Sequence, residues 1–251
     1  MGKIFSTDSK ITFSEIDSDS RLSPGSLLAG FQNTAVKHSE DIGCGVGYLL
    51  EQKRGWAVLN WHICINRMPY LDENVRFSTW CNRCRRLEAI RNFTVEDKEG
   101  NVLVYAMSNW AFIDLERRKP AQILPELVDG FNSEMPNVIE KERFTFKKPE
   151  PEEFTDSLCF NVRRSDLDTN GHVNNARYLA WATDCVDDDV YNGYALKDIR
   201  VTYRKEGKRG DVLRAKTAVY REEDKVITVI YFVNDSDRDK VYVQLCMEWR
   251  K

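Results

Sequence analysis

The sequence predicts an α+β fold in which one order of elements, a short strand, a helix and four further strands, occurs twice within 251 residues. Two series of alternating apolar runs, each preceded by an apolar stripe at helical spacing, carry that prediction. A proline-rich charged stretch between the two series is the third observation.

The first series opens with a strand near Ile11 to Ile16 and a polar loop from Asp17 to Ser23. Pro24, suited to a first helical turn, starts a helix whose stripe is Leu27, Phe31 and Ala35 with Leu28 beside them. Ala57, Leu59, Trp61, Ile63 and Ile65 alternate as a half-buried strand does, and Val75, Phe77 and Thr79 continue the pattern. Strands over 90–95 and 103–112 follow, joined by the turn Asp97-Lys98-Glu99-Gly100. The second series repeats this order. A strand at 158–163 leads through the loop 165–171 to a helix starting around Val173, with Tyr178, Leu179, Ala182, Cys185 and Val186 as its stripe. Strands at 199–203, 212–219, 226–233 and 241–249 complete the unit. The run 226–233 is apolar on both faces and belongs in the middle of a sheet.

This order is that of a hotdog fold, a curved antiparallel sheet wrapping one long helix. The expected architecture is a tandem (double) hotdog packed as a pseudo-dimer: an N-terminal unit over 1–120, a linker over 121–152 and a C-terminal unit over 153–251. Two unrelated α+β domains are the competing arrangement.

Composition narrows the function classes. With 37 basic and 40 acidic side chains the net charge is −3, too near neutral for bulk affinity to nucleic acid or membrane. No apolar run reaches the roughly 18–20 residues of a membrane span, and the N-terminal residues lack the apolar core of a secretory signal. The cytoplasm is the expected location, and seven cysteines, an odd number, are expected as reduced thiols. Cys81-Asn82-Arg83-Cys84 resembles half a zinc site, but residues three apart on a regular strand face opposite ways, so no metal is expected there. No cofactor is called for.

The chemically informative run is Arg163-Arg164-Ser165-Asp166-Leu167-Asp168-Thr169-Asn170-Gly171-His172-Val173-Asn174-Asn175. Asp168, Asn170 and His172 alternate directly before a helix, whose free N–H groups favour developing negative charge. Carboxylate, amide and imidazole in one place are the parts for acyl transfer to water. The same residues also suit a turn and a helix N-cap, with Asn174 or Asn175 as the cap.

The run, continued by Tyr178 and Trp181, resembles the signature of the acyl-ACP thioesterases, the plant plastid enzymes and their bacterial relatives: Asp-Leu-Asp-x-Asn-x-His-Val-Asn-Asn followed by Tyr and Trp. The resemblance implies hydrolysis of fatty acyl–acyl carrier protein. It implies Asp168, Asn170 and His172 as catalytic residues, with Glu206 of Tyr203-Arg204-Lys205-Glu206 as a fourth. Plant members usually carry Cys after that Glu. Here Gly207 follows, which excludes a thiol nucleophile at that place. Substrate contacts are expected from Asn174, Asn175, Arg163 and Arg164. Arg200, Lys205, Lys208 and Arg209 would extend a basic rim for the acidic carrier protein.

Where the second unit has Asn-Gly-His, the first is read as having Arg21-Leu22-Ser23-Pro24, so the first unit is expected to be non-catalytic; the resemblance implies that it holds the acyl tail, for which Trp56, Trp61, Phe77, Trp80 and Trp110 are the candidates. A plain core would have the same composition. Carbonyl polarisation is expected from N–H groups at the start of the second helix, and attack by water or directly by Asp168 both stay open. So do an acyl-CoA hydrolase, a hydratase, a non-catalytic acyl-binding module and a homodimer of the tandem chain.

Overall fold

The computed structural model describes residues 4–131, 135–140, 144–146 and 148–251. They fall into two compact units, one within 1–22 and 29–142, the other within 23–28 and 143–251.

In the first unit, strands β1 (Phe5–Lys10), β2 (Arg54–Ile65), β3 (Asn74–Arg85), β4 (Glu88–Asp97) and β5 (Val102–Asp114) form an antiparallel sheet in the order β1-β3-β4-β5-β2, with the short β6 (Lys119–Pro120) on β5. Helix α1 (Pro24–Asp41), which belongs to this unit from Ala29 on, begins at the proline that the sequence marks, and a short helix α2 (Val46–Glu51) follows it. Phe31 of α1 is fully buried against the rings of Trp61, Phe77 and Phe93. Trp61, Phe77 and Trp80, three of the residues expected around the acyl tail, are each at most 6% exposed.

Three features of this unit depart from the sequence reading. The first strand is Phe5–Lys10, and Phe13–Glu15 is a 3₁₀ turn. Ser6, Thr7, Asp8 and Ser9 carry no apolar pattern, because β1 is an edge strand ordered by its ladder to β3. Secondly, the segment read as linker contains helix α3 (Pro125–Phe131), whose Leu127 and Phe131 enter the core with Phe112 and Ile123. Pro125, taken as a breaker, stands at the helix start, where a missing N–H costs nothing. Thirdly, Cys81 and Cys84 do not face apart. A β-bulge between Cys81 and Arg83 shifts the register, so both thiols are buried in that same core. A hydrogen bond from Cys84 and, after it, the charge of Arg91 pull the Cys81 thiol below its ordinary pKa, against burial.

In the second unit, β7 (Thr155–Asn161), β8 (Ala195–Tyr203), β9 (Val212–Arg221), β10 (Lys225–Asn234) and β11 (Val241–Arg250) run in the order β7-β9-β10-β11-β8. The run that is apolar on both faces is β10, at the centre of these five. Its helix α4 (Asn175–Asp184) has only ten residues, and a separate α5 (Asp188–Gly193) follows. The helix is thus shorter than the long element expected, and Cys185 and Val186 of the stripe lie in the turn beyond it. Tyr178, Leu179 and Ala182 are its buried face. Tyr178 and Trp181 pack on Phe232, and Trp181 stacks on Phe160. Each unit has the hotdog layout of one sheet and one principal helix. No helix among the described residues is long and apolar enough to cross a membrane.

Candidate active site

The run 168–172 is a closed turn built on its first residue. The Asp168 N–H donates to the His172 carbonyl (2.7 Å), and the Gly171 N–H donates to the Asp168 carbonyl (3.1 Å). Asp168 Oδ1 accepts the N–H groups of Asn170 (2.8 Å) and His172 (3.1 Å). Gly171 has φ of 75°, a left-handed conformation that glycine adopts without a Cβ penalty.

The turn is then fastened to the segment after β8. His172 pairs with Lys208 as an isolated antiparallel bridge, and the Val173 N–H donates to the Gly207 carbonyl (2.8 Å). This pairing brings Glu206 alongside, and Glu206 Oε2 lies 3.1 Å from His172 Nε2. The imidazole is only 18% exposed and the carboxylate 48%, so a shielded ring meets a side chain open to water. A side chain at position 207 would collide here. A Cβ would sit 2.6 Å from the Tyr178 hydroxyl and 2.9 Å from a Val173 methyl. Burial pushes the Tyr178 phenol above its ordinary pKa, so it stays a neutral hydroxyl against this glycine.

The start of α4 is less available than expected. Asn174 is the N-cap: its side-chain oxygen accepts the Ala176 N–H (3.0 Å) and its carbonyl accepts that of Arg177 (2.9 Å). The Val173 and Asn174 N–H groups go to Gly207 and to the carbonyl of Asp166 (2.8 Å). The N–H groups of Val173, Asn174, Ala176 and Arg177 are thus engaged within the protein. In the turn itself the Asn170 side chain is exposed and His172 is half-buried. The Asn175 carbonyl accepts the Tyr203 hydroxyl (3.2 Å). Arg163, Arg164, Lys205, Lys208 and Arg209 are all exposed, whereas Arg200 is half-buried beside Asp198 at 3.0 Å. Sequence reasoning missed Asp166, whose carboxylate accepts the Arg163 N–H (2.8 Å) and faces Arg177 at 3.6 Å.

The first unit contains the same turn in a different register from the one read. Asp17 N–H donates to the Arg21 carbonyl (2.8 Å) and Ser20 N–H to the Asp17 carbonyl (3.1 Å). Asp17 Oδ1 accepts the N–H groups of Asp19 and Arg21, both at 3.0 Å. Arg21 bridges to Tyr70, and Leu22 N–H donates to the Pro69 carbonyl (2.8 Å). Asp19-Ser20-Arg21, not Arg21-Leu22-Ser23-Pro24, therefore stands where Asn170-Gly171-His172 stands, and Met68 stands in the place of Glu206.

The family models for the N-terminal and C-terminal domains of acyl-ACP thioesterases match residues 2–131 and 149–251. The chain belongs to the acyl-ACP thioesterase family. A chloroplastic acyl-[acyl-carrier-protein] hydrolase of Cuphea viscosissima is 30% identical over 82% of this chain and 52% of its own length. The chain thus spans about half the length of the curated relatives that it matches. Among solved structures, a Lactobacillus plantarum protein assigned as an oleoyl thioesterase superposes with a TM-score of 0.90 at 26% identity, over 100% of this chain and 97% of its own. An acyl-ACP thioesterase of Bacteroides thetaiotaomicron gives 0.83 at 26% identity, over 98% of each chain.

Proposed function

We propose that this member of the family hydrolyses the thioester of fatty acyl–acyl carrier protein, releasing free fatty acid and ending chain elongation. The observation that carries the reading is the His172–Glu206 pair at 3.1 Å, held over a family signature turn. Water adds to the thioester carbonyl, the C–S bond breaks, and the products are a carboxylic acid and the carrier's free thiol. His172 and Glu206 share the proton traffic, taking a proton from water and returning one to the leaving sulfur. Asn170 orients the water or the carbonyl. The exposed Arg163, Arg164, Lys205, Lys208 and Arg209 form the rim that meets the acidic carrier. The first unit, with Arg21 and Met68 where the pair would be, holds the acyl tail. The reading places the enzyme in the cytoplasm, where that carrier would supply its substrate.

The test is a rate comparison on acyl carrier protein and coenzyme A thioesters of matched chain lengths. Preference for the carrier thioester is expected. Equal rates would sink the carrier assignment, and no hydrolysis of either would sink the enzyme reading.

A further inference from the structure

We infer that Asp168 is a positioning residue, which shapes the turn presenting His172, and that it never bonds to the acyl group. The inference rests on the thioesterase reading for its chemistry, but its support is the recurrence of the turn.

The same four hydrogen bonds occur three times among the described residues. Besides the turns at Asp168 and Asp17, the hairpin between β4 and β5 has them. Asp97 N–H donates to the Asn101 carbonyl (3.1 Å), and Gly100 N–H donates to the Asp97 carbonyl (3.1 Å). Asp97 Oδ1 accepts from Glu99 (3.1 Å) and Asn101 (2.8 Å). The fourth residue is left-handed in all three, with φ of 60° at Ser20, 85° at Gly100 and 75° at Gly171. The second and fifth positions vary freely: Ser18 and Arg21, Lys98 and Asn101, Thr169 and His172. Only the opening aspartate is common to all three.

Two of these turns have no histidine–glutamate pair, so the aspartate is present for the backbone. Its oxygen satisfies two N–H groups that the tight reversal leaves without carbonyl partners. At 168–172 the consequence is chemical, because the second of those N–H groups belongs to His172 itself. Fixing it fixes the direction in which the imidazole leaves the backbone, toward Glu206. Water is then the nucleophile. Its oxygen joins the acyl carbon, the thiol leaves with a proton, and no acyl-enzyme bond forms.

Asp168→Asn keeps the accepting oxygen and removes the charge, whereas Asp168→Ala removes both. The expected result is that Asp168→Asn retains kcat within about tenfold of the parent, with an unchanged pH–rate profile, and that Asp168→Ala falls well below it. A nucleophile would lose on the order of 10⁴ or more in both variants. Single turnover in oxygen-18 water should label the released acid and leave the peptide containing Asp168 unlabelled. Label in Asp168, or an Asn variant as inactive as the Ala variant, overturns the inference. Amide chemical shifts of Asn170 and His172 give a readout that needs no activity. They should be preserved in Asp168→Asn and lost in Asp168→Ala, and loss in both would overturn the positioning role even for a protein that hydrolyses nothing.

Discussion

The turns 17–21 and 168–172 share their backbone bond for bond and differ in the side chains they present. One offers Arg21, 6.0 Å from the Tyr70 ring centroid, with Met68 at the register position of Glu206; the other offers His172 beside Glu206. Even the supports are copied. Glu73 accepts the Tyr70 N–H at 2.9 Å, as Asp211 accepts that of Lys208 at 2.9 Å. The difference teaches that the scaffold for a site and the chemistry of a site are separable. A turn is bridged to the segment beyond it in either unit, and only in the second do the matching positions hold an imidazole and a carboxylate in contact.

The largest effect should come from removing the pair. His172→Ala and Glu206→Gln are each expected to lower kcat by about 10²–10⁴, the usual contribution of general acid–base groups. Arg21→Ala and Met68→Ala, at the matching places, should change it by no more than about twofold. Steady-state rates on one acyl carrier thioester decide this, and an equal loss in both units would break the comparison. Asp17→Ala sharpens it. Leaving two N–H groups without their acceptor should cost about 1–3 kcal/mol of stability, measurable by denaturant unfolding, with kcat unchanged.

A second contrast is electrostatic. The first unit buries Arg91, whose guanidinium donates to His38 Nδ1 at 2.9 Å and lies 4.5 Å from the Phe131 ring centroid. Burial, reinforced by the Arg91 charge, lowers the His38 pKa from 6.5 to about 3. The unfolded chain therefore takes up a proton at this histidine below 6.5 while the folded chain does not. Stability from this residue is complete above pH 6.5 and falls as pH drops toward 3. Each unit costs up to about 1.4 kcal/mol, so roughly 2–3 kcal/mol is gone at pH 4.5. His38→Gln should flatten the acid limb of a melting-temperature profile between pH 6.5 and 4. An unchanged limb in His38→Gln would refute the assignment.

What could be read from sequence follows the range of the forces involved. The strands at 57–65 and 226–233 were legible because alternation and two-sided burial are local patterns. The helix start at Pro24 was legible because caps are local too. Strand β1 was not, since its order comes from β3. The bulge at Cys81 was not, since a register shift exists only between two strands. The motif 168–172 was visible as residues, and its turn was there to be found, because Asp97 to Asn101 repeats Asp-x-x-Gly. Its register against Asp17 was missed because Ser20 replaces the glycine. The 3.1 Å approach of His172 to Glu206 depends on the bridge through Lys208 and Gly207, which no local pattern encodes. The engaged N–H groups of α4 likewise became visible only with their acceptors in place.

The smallest effect tests that bridge. Pro69 and Gly207 supply equivalent carbonyls, to Leu22 and Val173. Gly207 also has Tyr178 against it, so Gly207→Ala forces a methyl to within 2.6 Å of the hydroxyl and 2.9 Å of the Val173 methyl. Overpacking of this kind costs about 1–3 kcal/mol. Any shift of this backbone carries Glu206 away from His172, so kcat should fall together with the melting temperature. Tyr178→Phe in the same chain removes the closer contact and leaves the Val173 one. The double variant should therefore recover part of both losses, with a coupling of at least about 0.5 kcal/mol. Strictly additive losses would mean that the hydroxyl is not what position 207 must avoid, and Gly207 would then need another explanation.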